Sequence, residues 1–264
     1  MSSLAIKENN SGSSTGALMA ATRAEATKFF GLRSLSGLFL AGILVTIGLG
    51  WLLGASAKAS GENGFDSAMP APLMVFATLQ FGQLFFASAS ALHITNEYSS
   101  GTIASSMQAV PQRGMLLGAK ALLLFSVNFL AGVVMIALAT VPTALSAGEY
   151  GAFDFTDLVS AALGAGTYLA LLSLMVLGLG LLCRNSAGAI VSTIMLVIGL
   201  PQILQLLPIQ WIHDVVQYLP TNAATFMATG ATEPYGPGTA VAVLVIWSAV
   251  LLGAGYLHFK SRDA

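Results

Sequence analysis

Charged side chains make up only 8% of this 264-residue sequence, and 56% of it is hydrophobic. A surface in water normally carries roughly a quarter to a third charged residues, so an ordinary water-facing globule is excluded and the bilayer becomes the expected solvent. A formal net charge of −1 and the lack of any basic run remove the electrostatic footprint of nucleic-acid binding. The single cysteine, Cys183, excludes an intrachain disulfide framework and a multi-cysteine metal site. His93, His213 and His258 are scattered without a His-Glu-x-x-His spacing, so no metal site is expected. No Gly-rich loop ending in Lys and Ser or Thr is present. The chain therefore has no ordinary nucleotide-hydrolysis site of its own, and no enzymatic activity is expected of it.

The few charges serve as a ruler, because an ionised side chain at mid-bilayer costs roughly 2.5–3.5 kcal/mol. Residues 34–57, 67–96, 121–148, 158–183, 185–213 and 234–259 contain no Asp, Glu, Lys or Arg. About 20 apolar residues at a helical rise cross the hydrocarbon, so each gap holds one span. Helices are expected at about 36–57, 72–94, 116–141, 158–182, 187–207 and 238–259. The runs are continuous rather than alternating, which excludes a barrel. The fold class expected is an all-α integral membrane protein with six transmembrane helices.

Lys and Arg are retained on the cytoplasmic side. With the N-terminus inside, Lys7, Arg23, Lys28, Arg33, Arg113, Lys120, Arg184, Lys260 and Arg262 are cytoplasmic and only Lys58 lies outside. Both termini are then cytoplasmic in a multi-pass protein of the cell inner or plasma membrane. Only His93, near the inner end of span two, is read as an ionisable group within a span. That scarcity argues against a proton-coupled carrier and a carboxylate-type membrane enzyme, which need such groups at depth.

Uncharged polarity is present instead. Gln80, Gln83, Ala87, Ser90 and Ala91 form one small and polar stripe along span two, opposite Phe81, Phe85 and Leu92. The stripe either lines a substrate path or permits close helix packing, and packing is favoured. Asn128 in span three and Gln202 and Gln205 in span five complete the candidate path residues. Pro201 is placed to kink span five.

Residues 1–16 are too poor in apolar side chains to fold and read as a disordered tail. Residues 17–34 read as a helix in the cytoplasmic interface, carrying Glu25, Lys28 and Arg33 with Phe29 and Phe30 in lipid. Residues 35–264 form the six-helix domain. The long loop between spans two and three carries Ile103 and Met107 four apart, on one face of a short helix from about Ser100 to Gln108 that Pro111 stops. Glu97 is placed to cap this helix or to pair with Arg113 or Arg33. Residues 208–238 after span five read as a pair of short external helices.

The loop Asn96-Glu97-Tyr98-Ser99-Ser100-Gly101-Thr102-Ile103, followed by Pro111, Arg113 and Lys120, resembles the ABC-2 type permease family of ATP-binding-cassette transporters. Glu25, Lys28, Leu32, Arg33 and Ser34 look like the family's helix before span one. Arg184-Asn185-Ser186-Ala187 is similar to its turn before span five, and Tyr218-Leu219-Pro220 to its external helices. The resemblance implies a cytoplasmic coupling helix that docks on a separate ATPase subunit through Glu97, Tyr98, Gly101, Thr102, Ile103, Met107 and Arg113. It further implies two ATPase copies carrying ATP and Mg, no cofactor on this chain, and a second permease chain, identical or homologous. The function implied is efflux of a hydrophobic or amphipathic drug, peptide or lipid through a dimeric path. A structural or regulatory membrane protein, or a carrier that works without ATP, is the competing class.

Overall fold

In a computed structural model of the chain, residues 14–109 and 112–261 are described. The expected tail falls largely outside them, as do Lys7, Pro111 and Arg262. All regular structure among the described residues is helical.

Among the described residues, six helical segments are long and apolar enough to cross a membrane: Arg33–Glu62, Ala71–Ser99, Arg113–Gly151, Phe155–Cys183, Ser186–Gln205 and Pro237–Ser261. The chain thus has the character of a multi-pass membrane protein. In order, α1 (Ser14–Gly31) precedes α2 (Arg33–Glu62) and α3 (Ala71–Ser99), and α4 (Thr102–Ala109) precedes α5 (Arg113–Ala147) and α6 (Phe155–Cys183). Then come α7 (Ser186–Ile194), α8 (Leu200–Gln205), α9 (Gln210–Val216), α10 (Pro220–Thr229) and α11 (Pro237–Ser261).

Several boundaries differ from the sequence expectation. The first helix begins at Ser14, inside the expected tail, and ends at Gly31. Leu32 adopts an extended backbone and its carbonyl accepts from Leu35 and Ser36, so a new helix starts there and Arg33 belongs to α2. Phe29 is buried in protein rather than facing lipid, whereas Phe30 is exposed. The fifth segment contains a π-helical stretch, Met195–Gly199, ahead of Pro201. The wider turn accommodates a ring that would clash with the carbonyl four residues back. Two short helices, α9 and α10, occupy the region after it.

The central helices are α3 and α6, whose apolar windows are 61% and 72% buried, against 22–33% for the other spans. Small residues allow this close approach. A Cβ on Gly178 would lie 2.3 Å from the Leu251 carbonyl oxygen, and one on Gly255 would lie 2.6 Å from that of Gly178. The α6–α11 crossing is therefore backbone against backbone. Gly178→Val is expected to force the helices apart and to destabilise the fold by about 1–3 kcal/mol, read as an earlier midpoint in mixed-micelle unfolding.

An edge-to-face series of aromatic rings runs from α1 into the bundle: Phe29 meets Phe39 at 5.6 Å, and Phe39 meets Phe86 at 5.0 Å. It fixes α1 against α2 and α3, and so places the charged groups of α1.

Candidate functional site

Glu25 follows Ala21 and precedes Phe29 by four residues, so all three share the buried face of α1. His93 and Glu97 are likewise four apart on α3. Lys120 projects two turns into α5. Packing of these helices brings the side chains together where the ends of α1, α3 and α5 meet α4.

Lys120 Nζ donates to Glu25 Oε2 at 2.5 Å and to Glu97 Oε1 at 2.8 Å. Lys28 Nζ donates to Glu25 Oε1 at 2.7 Å, Glu97 Oε1 at 3.0 Å and Ser106 Oγ of α4 at 2.9 Å. His93 Nε2 lies 3.2 Å from Glu25 Oε2 without hydrogen-bond alignment. Glu97 Oε2 is buried and has no hydrogen-bond partner among the described residues. Lys120 is 1% exposed, Glu25 2%, His93 3% and Glu97 6%, so the two Lys120 pairs are shielded from the solvent screening that makes surface ion pairs weak, whereas Lys28 reaches the carboxylates from an exposed position. Two carboxylates thus face two ammonium groups.

Burial by itself pushes the Glu25 carboxyl up, but contact with His93, the charge of Lys120 and hydrogen bonds from Lys120 and Lys28 outweigh it. The group is held well below the usual carboxylate range. Burial pulls Lys28 down, but hydrogen bonds to Glu25 and Glu97 and their charges raise it above its ordinary value. A depressed carboxyl contributes stability above its unfolded value, 4.5, that is lost as pH falls through the folded value. A raised ammonium contributes stability below 10.5 that is lost as pH rises through its folded value. Stability from this pair is therefore expected to hold across the neutral range, and the decline below 4.5 should be shallower in Glu25→Gln than in the native chain. Unfolding midpoints measured across acid pH check this.

The cluster corrects two expectations. Glu97 pairs with Lys28 and Lys120 rather than Arg113 or Arg33. Arg113 instead donates to the carbonyls of Phe259 and Lys260 at 3.3 and 3.0 Å and lies over the Phe259 ring, tying the start of α5 to the end of α11. Arg33 is exposed in the first turn of α2 and takes no part in the cluster. Secondly, His93 is not alone within the spans, because Lys120 is enclosed in α5 and His258 lies in the last turn of α11.

The loop residues separate into two sets. Ser99 ends α3, Gly101 turns the chain with φ +71°, and α4 starts at Thr102. Ile103 is 7% exposed and packs with Phe29, Leu117, Leu181 and Phe259. It anchors α4 inward instead of presenting an outer contact. Thr102, Ser105 and Gln108 are exposed on α4. Met107 belongs to α4, but its side chain lies outside the described residues. Tyr98 sits under the Arg184 guanidinium, 5.5 Å from its ring centroid.

Of the candidate path residues, Gln83 and Asn128 are buried: Tyr168 donates its hydroxyl to Gln83 Oε1, and Asn128 Nδ2 donates to Ser90 Oγ at 3.3 Å. Ala87, Ser90 and Ala91 are buried with them. Gln80 is exposed and shares with Gln83 a cavity between α3, α6 and α10. Gln202 and Gln205 are exposed on α8, apart from that cavity.

Comparison with family models and with curated protein sequences returns no match to this chain.

Proposed function

We propose that this chain is the membrane-spanning permease subunit of an ABC-2 type exporter. The observation that best supports this reading is the buried charge cluster, which fastens α4 to α1, α3 and α5 at one end of the bundle. A machine driven by a partner needs a short, exposed element rigidly linked to the membrane helices. The α4 helix has that form: Lys28 holds Ser106, Ile103 is packed inward, and Thr102, Ser105 and Gln108 face out.

The resemblance of the Glu97–Ile103 loop supplies the class. Two permease chains, identical or homologous, form the path, and two copies of a separate ATPase bind ATP and Mg and dock on α4. Closure of the ATPases pushes α4, and the cluster passes the movement to α1, α3 and α5. With the N-terminus inside, nine of ten cations fall on the cytoplasmic side, and this positive-inside distribution supports a reading with α4 and both termini in the cytoplasm and the chain in the cell inner or plasma membrane. Export is the direction expected from the resemblance, with a hydrophobic or amphipathic cargo.

Affinity purification from native membranes tests the assembly. An ATP-binding-cassette ATPase is expected to co-purify at one copy per permease chain, and to be lost with a Ser105→Trp variant that still inserts and folds. Purification of a chain without such a subunit, together with substrate movement in vesicles lacking ATP, would support an ATP-independent carrier instead.

A further inference from the structure

The cavity between α3, α6 and α10 has a volume of about 400 Å³, within the size range of small-molecule sites. Its walls are apolar at Leu73, Phe76, Leu79 and Ala224. Its polar groups, including Gln80, Gln83, Tyr168, Thr221 and Thr225, carry no formal charge at neutral pH. A cation or an anion entering it would lose hydration without gaining a counter-charge, so an uncharged molecule is selected.

Gln83, which is fully buried, defines the polar requirement more closely. Its Oε1 accepts from Tyr168 and its Nε2 donates to the Gln80 carbonyl at 3.0 Å. An amide carries two N–H donors, so among the described residues one N–H of Gln83 is left without a partner beside the cavity. Burying a donor without a partner is unfavourable, and a carbonyl acceptor on a bound molecule removes that cost. The hydroxyl of Thr225 donates to the Thr221 carbonyl at 3.2 Å, leaving its oxygen as a further acceptor on the wall.

We propose that this cavity binds an uncharged molecule with an apolar body and a carbonyl group, the carbonyl taking the free N–H of Gln83. That the bound molecule is cargo rests on the reading of the chain as an exporter. That it binds does not, because the site lies within a single chain and no residue of α4 or the charge cluster lines it.

The test uses the purified full-length chain in detergent and prodan, a neutral naphthalene ketone whose emission reports both the polarity around it and hydrogen bonding to its carbonyl. Saturable binding above that to empty micelles is expected. Gln83→Leu, which removes the donor, and Ala77→Trp, which fills the cavity from an exposed position on its wall, should each weaken it by about ten-fold or more. Ala77→Trp leaves the Gln83–Tyr168 pair in place, so its effect is separable from misfolding, and Phe81→Trp, exposed but off the cavity, should bind normally. A trimethylammonium analogue of prodan should bind at least about ten-fold more weakly, as charge burial without a partner requires. No saturable binding by the native chain, equal binding by Gln83→Leu or Ala77→Trp, or equal binding of the charged analogue would overturn the proposal. None of these results bears on ATPase docking, so failure here leaves the exporter reading to its own test.

Discussion

Lys120→Met is expected to lower folding stability by about 3–5 kcal/mol, the range for breaking a buried ion pair by removing one partner. Lys120 supplies a close donor to both carboxylates, at 2.5 Å to Glu25 and 2.8 Å to Glu97. Without it, Lys28 alone faces two buried negative charges. Methionine fills much of the same volume, so the loss is electrostatic more than steric. Adding Glu25→Gln restores local neutrality and is expected to recover part of the loss, because residues in one ion-pair network are not additive. Unfolding in mixed micelles, run as a double-mutant cycle, measures the coupling directly. Equal stability of native chain and Lys120→Met would mean that the cluster does not hold α1 to the bundle.

The second large effect divides the surface of α4 from its anchor. Ser105→Trp places a bulky ring on the exposed face and is expected to abolish stimulation of the partner ATPase while leaving the unfolding free energy within about 0.5 kcal/mol of the native chain, as surface substitutions usually do. Ile103→Asp is expected to abolish stimulation too, but with a loss of stability of about 3 kcal/mol or more, since it puts an unpaired charge into an apolar cluster. Comparing ATPase stimulation with unfolding for the two variants checks the division. A Ser105→Trp chain that stimulates normally would remove α4 as the docking element.

Six long helices were legible in the sequence because they rest on one strong physical constraint, the cost of charge in hydrocarbon. The expected positions of the spans coincide with the long helices to within a few residues at most ends; α5 runs six residues beyond the expected end of span three, continuing through Pro142 to Ala147. Ends of this kind depend on local packing and on backbone bonds that composition does not encode. The π-helical stretch before Pro201 is of the same kind: the proline was visible, but the way its missing donor is absorbed was not.

The candidate site was only half legible. Glu25, Lys28 and Glu97 stood out as charges next to apolar runs, yet their partners lie up to 95 residues away in sequence, as for Lys120 and Glu25. On sequence alone Lys120 groups with the cytoplasmic cations, although it falls within the helix expected at 116–141. Its distance from Arg113, two helical turns in an apolar stretch, was the available signal that it lies inside the bundle. Ile103 was read from its spacing with Met107, which marks a face but not the direction in which that face points. Gln83 and Tyr168, 85 residues apart, meet only through packing of α3 against α6.

The most direct test of the central claim is transport by the chain reconstituted with its co-purified ATPase in proteoliposomes. Movement of a neutral fluorescent cargo is expected to require ATP and Mg and both subunits, and to stop with Ser105→Trp while the chain remains folded. Movement at the same rate without the ATPase, or undiminished by Ser105→Trp, would contradict the account.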